Sequence, residues 1–297
     1  MITFGSFGPE GMSAASLVPE APKAGVMQFA FIDMGQGDCT LISCPDNKLF
    51  IVDCGSSGGL EDKPFKAAKA LVRDWANGKS VYMVMTHPDK DHYNQFLALL
   101  TSDPPVSVSC IYFSRAKADS SPLAFYKETS LGKKLDKLDY PLLVELTLNA
   151  TQHFKKSWSQ MADDYKTAIG PSDIPKEGYE LAQGVAPKNI AWSLTIIAGN
   201  VPTASKADKE KSNAASLCTL VKYGDQTLFM TADSNHETLK YLYDHHAAQI
   251  KNVSLFQVPH HGSETGTPTA EFKALVDPEA MVVSVGLLND GFKLPRY

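Results

Sequence analysis

The chain reads as short apolar runs of strand length, broken by turns, with a few stretches of helical spacing. Residues 81–85 (VYMVM) lack polar alternation, the pattern of an inner strand covered on both faces. Runs at 27–32, 40–44 and 49–52 are separated by the glycine turn 35–37 and the turn at Pro45, Asp46 and Asn47, links short enough to require antiparallel pairing. Residues 64–76 set Phe65, Ala68, Leu71, Val72 and Trp75 at helical spacing, with Lys66, Lys69 and Arg73 on another, solvated face. Further strands are expected at 106–113, 190–198, 216–223, 226–231, 253–258 and 280–285, with Gly224 and Asp225 as a hairpin signal, and a helix at 235–248. Residues 1–25 are rich in Gly, Ser, Pro and Ala without periodicity and read as a flexible leader; residues 26–297 read as one domain. Within it, 114–187 is polar and reads as a loop-rich insertion with helical candidates at 131–148 and 151–168. Arg115, Lys117, Lys127, Lys133, Lys134 and Lys137 make its first half basic. The interleaved Phe113, Phe125, Tyr126 and Tyr140 could stack on bases, although packing onto the core is the commoner use of such aromatics.

The strand at 81–85 breaks into THPDKDH (86–92), where Pro88 ends pairing and the turn presents His87, Asp89, Asp91 and His92 together. A helix is expected from about Asp91 through Leu100. Carboxylates and imidazoles crowded on one turn call for a cation between them. Asp233, at the end of the 226–231 strand, has the geometry to bridge two cations, or to cap the helix that follows. PHHGS (259–263) closes another buried strand, and because successive side chains of an extended segment point opposite ways, His260 and His261 reach one ion only if the chain bends. Asp33, Asp38 and Asp53 end or bracket strands, where an aspartate also serves as an ordinary turn residue. His153, His236, His245 and His246 read as surface residues.

In this order, FIDMGQGDC (31–39), IVDCG (51–55), THPDKDH (86–92), FMTAD (229–233) and VPHHGS (258–263) resemble the motifs of the metallo-β-lactamase superfamily, and most closely its ComEC-type branch from DNA-uptake proteins and their free-standing relatives. The resemblance implies an αββα sandwich of two mixed sheets with helices outside. It implies metal ligands at His87, Asp89, Asp91, His92, Asp233 and the pair His260/His261, with His261 the ligand and His260 supporting it or touching substrate. Asp91 orients or deprotonates the attacking water, while Asp33, Asp38, Asp53, Asn213 and Ser263 support the site or contact substrate. Asn213 enters because NAAS (213–216) resembles the branch's Asn-x-x-Ser element. The chain departs from the wider superfamily in carrying Asp89 where a histidine is usual and in lacking the Gly-His-Thr ligand turn. A hard carboxylate at that position shifts preference from zinc toward manganese or magnesium, so the expected cofactor is a pair of divalent ions, Mn2+ or Zn2+ with Mg2+ also compatible. GLLN (286–289) resembles an element that leads into a Gly-His-Pro turn; here Leu294 takes the place of that histidine. The expectation is a chain shortened at its C-terminus, with low turnover unless a further segment, domain or protein partner completes the site.

Composition narrows the setting. With 297 residues, 43% of them hydrophobic, a sizeable core is expected, and a net charge of -5 weighs against a protein that coats nucleic acid by bulk electrostatics, although not against a local basic groove. No apolar run approaches the roughly 20 residues needed to span a bilayer and no signal peptide is recognisable, which points away from the membrane and to the cytoplasm. The five cysteines lack zinc-ligand spacing and fit reduced, packed thiols. Paired cations activating a water suit a phosphodiester, so the expected activity is a phosphodiesterase or nuclease acting on DNA or a nucleotide-derived substrate. The alternatives are hydrolysis of a carboxylic ester or lactone, and a degenerate metal- or nucleotide-binding domain that works through partners.

Overall fold

In the computed structural model the described residues are 2–8, 11–16, 21–56, 63–100, 102–103, 105–114, 142–148, 168–203, 212–285 and 294–296. Two sheets carry the architecture. The first has the order β2-β1-β3-β4-β5-β6-β7-β8-β9. It comprises β1 (Ile2–Gly8), β2 (Gly11–Ser16), β3 (Met27–Ile32), β4 (Thr40–Ser43), β5 (Lys48–Val52), β6 (Ser80–Met85), β7 (Cys110–Phe113), β8 (Leu142–Thr147) and β9 (Ala168–Asp173). Pairing is antiparallel from β2 to β5 and parallel from β5 to β9. The second runs β10 (Tyr179–Ala186), β11 (Ile190–Ala198), β12 (Cys218–Tyr223), β13 (Gln226–Met230), β14 (Leu255–Gln257) and β15 (Ala280–Val282), antiparallel as far as β13 and parallel beyond.

Three apolar clusters define the layers. Phe29, Phe50 and Val84 of the first sheet meet Trp192, Leu194, Ile196 and Leu228 of the second between the sheets. The opposite face of the first sheet (Ala30, Ile32, Leu49, Ile51, Met83) packs on α1 (Lys63–Ala76) through Ala68, Leu71, Val72 and Trp75, and on α3 (Phe96–Leu100). The outer face of the second sheet (Leu220, Phe229, Phe256) packs on α4 (His236–Ile250) and α5 (Ala270–Val276) through Leu239, Leu242, Phe272 and Val276. Strands buried on both faces explain the uninterrupted apolar runs, since each residue faces either the other sheet or a helix. This is the αββα arrangement expected of the metallo-β-lactamase fold.

Several expectations change. Residues 2–8 and 11–16 are not a loose leader: β1 pairs along the whole of β3, and β2 pairs with β1. Small and polar residues there hid the strands, because backbone pairing near the margin of a sheet needs little apolar periodicity. Within 114–187 the described residues form strands β8, β9 and β10, and Leu142–Thr147, the end of the helix expected at 131–148, pairs as a strand with β7, whereas 131–141 and all but the last residue of the helix expected at 151–168 lie outside the described residues. The basic residues from Arg115 to Lys137, together with Phe125, Tyr126, Tyr140 and His153, lie outside the described residues. The single helix expected after Asp91 is two short ones, α2 (Lys90–Tyr93) and α3. All five cysteines are buried free thiols. No helix among the described residues is long and apolar enough to cross a membrane.

Candidate metal centre

β6, β13 and β14 end at one rim, and the loops leaving them carry the polar cluster. Two glycines, Gly37 between β3 and β4 and Gly55 after β5, let their loops approach the α2 backbone. A Cβ on Gly55 would lie 2.2 Å from the Asp91 carbonyl, and Gly37, at φ +155, would meet Gly55 O at 2.4 Å and Asp91 O at 2.8 Å. That closeness permits Asp38 N to donate to Asp91 O (3.2 Å) and Cys54 N to donate to His92 O (2.8 Å).

Asp53, in the left-handed region at φ 55, orients two histidines. Its Oδ1 accepts from Thr86 N (2.8 Å), and its Oδ2 accepts from Thr86 Oγ1 (2.7 Å) and His92 Nδ1 (2.7 Å). With its proton committed to Asp53, the Thr86 hydroxyl can only accept from His87 Nδ1, 3.1 Å away. Likewise His261 Nδ1 donates to the Ser284 carbonyl at 2.7 Å. Each of these three rings therefore carries its proton on Nδ1 and presents an Nε2 lone pair, the tautomer a metal ligand needs.

The three lone pairs converge on Asp233. Its Oδ1 lies 3.2 Å from His92 Nε2 and 3.3 Å from His261 Nε2, the latter also 3.7 Å from Asp91 Oδ2. Its Oδ2 lies 3.8 Å from His87 Nε2 and 3.4 Å from His260 Nε2, and Asp89 Oδ2 is 3.8 Å from His87 Nε2. The cradle thus has two halves, one on each oxygen of one carboxylate. The bend required for neighbouring histidines to face the same way is present: His260 (φ 48) and His261 (φ 54) are both left-handed. Their Nε2 atoms face different Asp233 oxygens, His261 the Oδ1 and His260 the Oδ2.

A metal fits this arrangement on the structure's own terms. Ligands held about 2.1 Å from one ion stand roughly 3.0–3.5 Å apart, which is the spacing from Asp233 to His92, His261 and His260, while His87 stands farther off at 3.8 Å. His87 Nε2, His92 Nε2, His261 Nε2 and Asp233 Oδ1 are buried without a hydrogen-bond partner, an expensive state that a cation relieves. Donor atoms of Asp38, His92, Asp233 and His261 all lie within 4.8 Å of one another.

Without a metal the electrostatics favour charge on two of these rings, so an ion binds in competition with protons. Burial alone would raise the Asp233 pKa, but the surrounding His261, His92 and His260 hold its carboxyl well below the usual range. Burial opposes charge on His92 and His261 as well, yet Asp233 with Asp53, and Asp233 with Asp38, respectively, raise both imidazoles above their ordinary value. His87 is pushed down by burial and by His92. Burial lifts Asp38.

Asp233 is free for this role because helix capping falls elsewhere: Asn235 accepts from Thr238 N at 3.1 Å as the N-cap of α4. Asp89 is the N-cap residue of α2 yet makes no side-chain cap bond; its Oδ1 accepts from Ser212 Oγ at 2.5 Å. Asn213, next to Ser212, is wholly buried with neither amide atom hydrogen-bonded. Ser263 reaches His260 through Thr265, whose Oγ1 is 3.0 Å from Ser263 Oγ and 2.7 Å from His260 Nδ1. Asp33 closes a local turn by accepting from Gly35 N (3.0 Å) and stands apart from the buried group of four. His246, expected at the surface, is buried on α4 with Nδ1 2.6 Å from Gln249 Oε1, while His236 and His245 are exposed. The GLLN segment and Phe292 lie outside the described residues; Arg296 N donates to Gly262 O at 2.8 Å, so the end of the chain returns to the histidine turn. Sequence reasoning missed Thr86, Ser212, Gln257, Thr265 and Ser284. Only Thr86, inside a motif, carried a signal.

No family model matches the sequence, and no curated protein matches it. Among solved structures, the chain is similar to the metallo-β-lactamase fold protein YhfI from Bacillus subtilis, at 10% identity over 96% of this chain and 87% of that one, with a TM-score of 0.37. It is similar also to a mutant of the CmlA β-hydroxylase (13% identity, 91% and 47% covered, TM-score 0.40). A protein of unknown function from Enterococcus faecalis V583 gives 11% identity, 91% and 53% covered, and a TM-score of 0.37. The chain spans about half the length of the latter two.

Proposed function

We propose that this protein is a metal-dependent hydrolase that cleaves phosphodiesters in DNA or a nucleotide-derived substrate. The observation that carries the reading is the convergence of buried, unpartnered His87, His92 and His261 nitrogens on the two oxygens of Asp233. His87, Asp89, His260 and Asp233 Oδ2 would hold one divalent ion; Asp91, His92, His261 and Asp233 Oδ1 would hold the other. Such ions supply Lewis acidity and a water acidic enough to attack near neutral pH.

The chain's own residues set the rest. The side chains of His87, His92, Asp233 and His261 are at most 4% exposed, whereas those of Asp89 and Asp91 are 29% and 23% exposed. Substrate therefore enters over Asp89 and Asp91. Asp91, held through its backbone by Asp38 and open at its carboxylate, accepts the proton of the attacking water. A donor set with carboxylates at Asp89, Asp91 and Asp233 is harder than an all-histidine set and shifts preference toward Mn2+ or Mg2+ while still binding Zn2+ tightly, and anionic phosphate oxygens suit such ions.

The test is turnover of bis(p-nitrophenyl) phosphate and of single- and double-stranded DNA with Mn2+, Mg2+ or Zn2+, beside p-nitrophenyl acetate and a lactone. Phosphodiester cleavage that needs metal and falls at least a hundredfold in Asp91→Asn is expected. Cleavage of the ester or lactone alone moves the substrate class. Metal binding without any turnover makes the protein a binding module.

A further inference from the structure

Gln257 ends β14, and its peptide is paired with Met230 on one side and Val282 on the other, so its Cα is held by both neighbouring strands. The side chain is buried, and both hydrogens of its amide nitrogen are committed. Nε2 donates to Asp38 Oδ1 at 3.0 Å and to Ser284 Oγ at 3.1 Å. Ser284 is the residue whose carbonyl accepts from His261 Nδ1, and Asp38 is the buried carboxylate whose Oδ2 lies 3.8 Å from His92 Nδ1. One carboxamide thereby joins three separate stretches of chain: the glycine turn after β3, the end of β14 and the segment after β15. Every group it reaches serves the Asp233 Oδ1 half of the cradle. The Oδ2 half is held by other means, Asp89 by Ser212 and His260 by Thr265.

We propose that Gln257 is a positioning residue for the metal half-site on Asp233 Oδ1, aiming His261 through Ser284 and holding Asp38 against His92, and that it has no such role for the Oδ2 half. The inference rests on the two-ion reading of the site. An amide is required because both neighbours offer oxygen. A carboxylate of the same shape would repel Asp38, and an apolar side chain of similar length would leave Asp38 Oδ1 buried without its donor. Outer partners of metal ligands typically change affinity by about 10–100-fold when lost.

The experiment isolates the halves. His87→Ala leaves only the Oδ1 half intact, and His261→Ala leaves only the Oδ2 half. In each background Co2+ is titrated into the full chain and followed by its visible ligand-field absorption, with Gln257, Gln257→Met and Gln257→Glu. Far-UV circular dichroism of the metal-free proteins checks that each is folded. Expected is a loss of Co2+ affinity of tenfold or more with altered band positions for both Gln257 variants in His87→Ala, and less than about twofold change in His261→Ala. Equal losses in the two backgrounds would mean a general effect on the fold and overturn the proposal, as would unchanged affinity in both. Failure of the parent protein to bind Co2+ at all would remove the two-ion reading itself, a result distinct from either.

Discussion

At the scale of single residues, the proposed two-ion site has one carboxylate, Asp233, doing two jobs. Asp233→Ala should therefore abolish binding at both half-sites, exceeding the roughly 10–100-fold that loss of an outer support costs. Metal analysis by mass spectrometry should show fewer than one ion per chain where the parent holds two, whereas His87→Ala should keep one; retention of two ions by Asp233→Ala would refute the bridging role. The charge pattern also sets a pH dependence whose sign differs with and without metal. Raised imidazoles at His92 and His261 stabilise the metal-free fold fully below the ordinary histidine pKa of about 6.5, and that stabilisation is lost as pH rises through the raised values. Asp233, held low, contributes stability above its ordinary range, lost only as pH falls through the depressed value. Metal needs the same nitrogens unprotonated, so its binding releases protons and strengthens with pH. Melting curves in EDTA should fall from pH 6.5 upward while the increment given by Mn2+ grows; parallel curves would show that the histidines do not titrate against the metal. Most of the side chains that converge on Asp233 were legible in the sequence because they sit in motifs with imidazoles and carboxylates at strand ends. Gln257, Ser212 and Ser284 were not, because a glutamine or serine acquires meaning only from an acceptor brought alongside by the fold.

At the scale of elements, what matters is how loops reach α2. Gly55 accepts no side chain, because the Asp91–His92 peptide occupies the space. Gly55→Ala should cost about 1–3 kcal/mol and weaken metal binding as well, since Asp91 and His92 must move; a variant that melts earlier yet binds Mn2+ as the parent does would show that the loop yields instead. Asn235 offers the opposite case. It caps α4 two residues from Asp233, so Asn235→Ala should lower stability by about 1 kcal/mol and leave metal stoichiometry unchanged, separating capping from ligation. The central strands were readable as apolar runs, and β3 to β6 fall within a residue or two of expectation. The edges were not. β1, β2, β9 and β10 carry glycine, serine and proline or alternate polar residues, and they exist because an adjacent strand offers unpaired backbone groups, information that no local window contains.

At the scale of the whole molecule, the centre lies where two sheets meet, and its donors come from loops on both: His87, Asp89, Asp91 and His92 follow β6 of the first sheet, and Asp233, His260 and His261 follow β13 and β14 of the second. The sandwich core between the sheets is apolar and contains none of the cluster's histidines or aspartates, so its burial does not draw on a metal. The rim is different: Asp38, Asp53 and Asp233 are buried together with the imidazoles of His87, His92 and His261, and once those imidazoles are neutral, as a metal requires, only a cation offsets the buried carboxylates at that end. A ligand that binds only the closed rim stabilises the native state by about 2.7 kcal/mol at a hundredfold excess over its Kd, which for a chain of this size amounts to a rise in Tm of roughly 5 °C. Because both sheets contribute to the site, this stabilisation should reach the whole cooperative unit. Hydrogen exchange should show protection on adding Mn2+ in residues 86–94 and 258–263 alike, with EDTA reversing both. Protection confined to 86–94 would place the ion on the first sheet alone and exclude Asp233 as the bridge, whereas no change in Tm or exchange with saturating Mn2+, Zn2+ or Co2+ would show that the cluster is not a metal site.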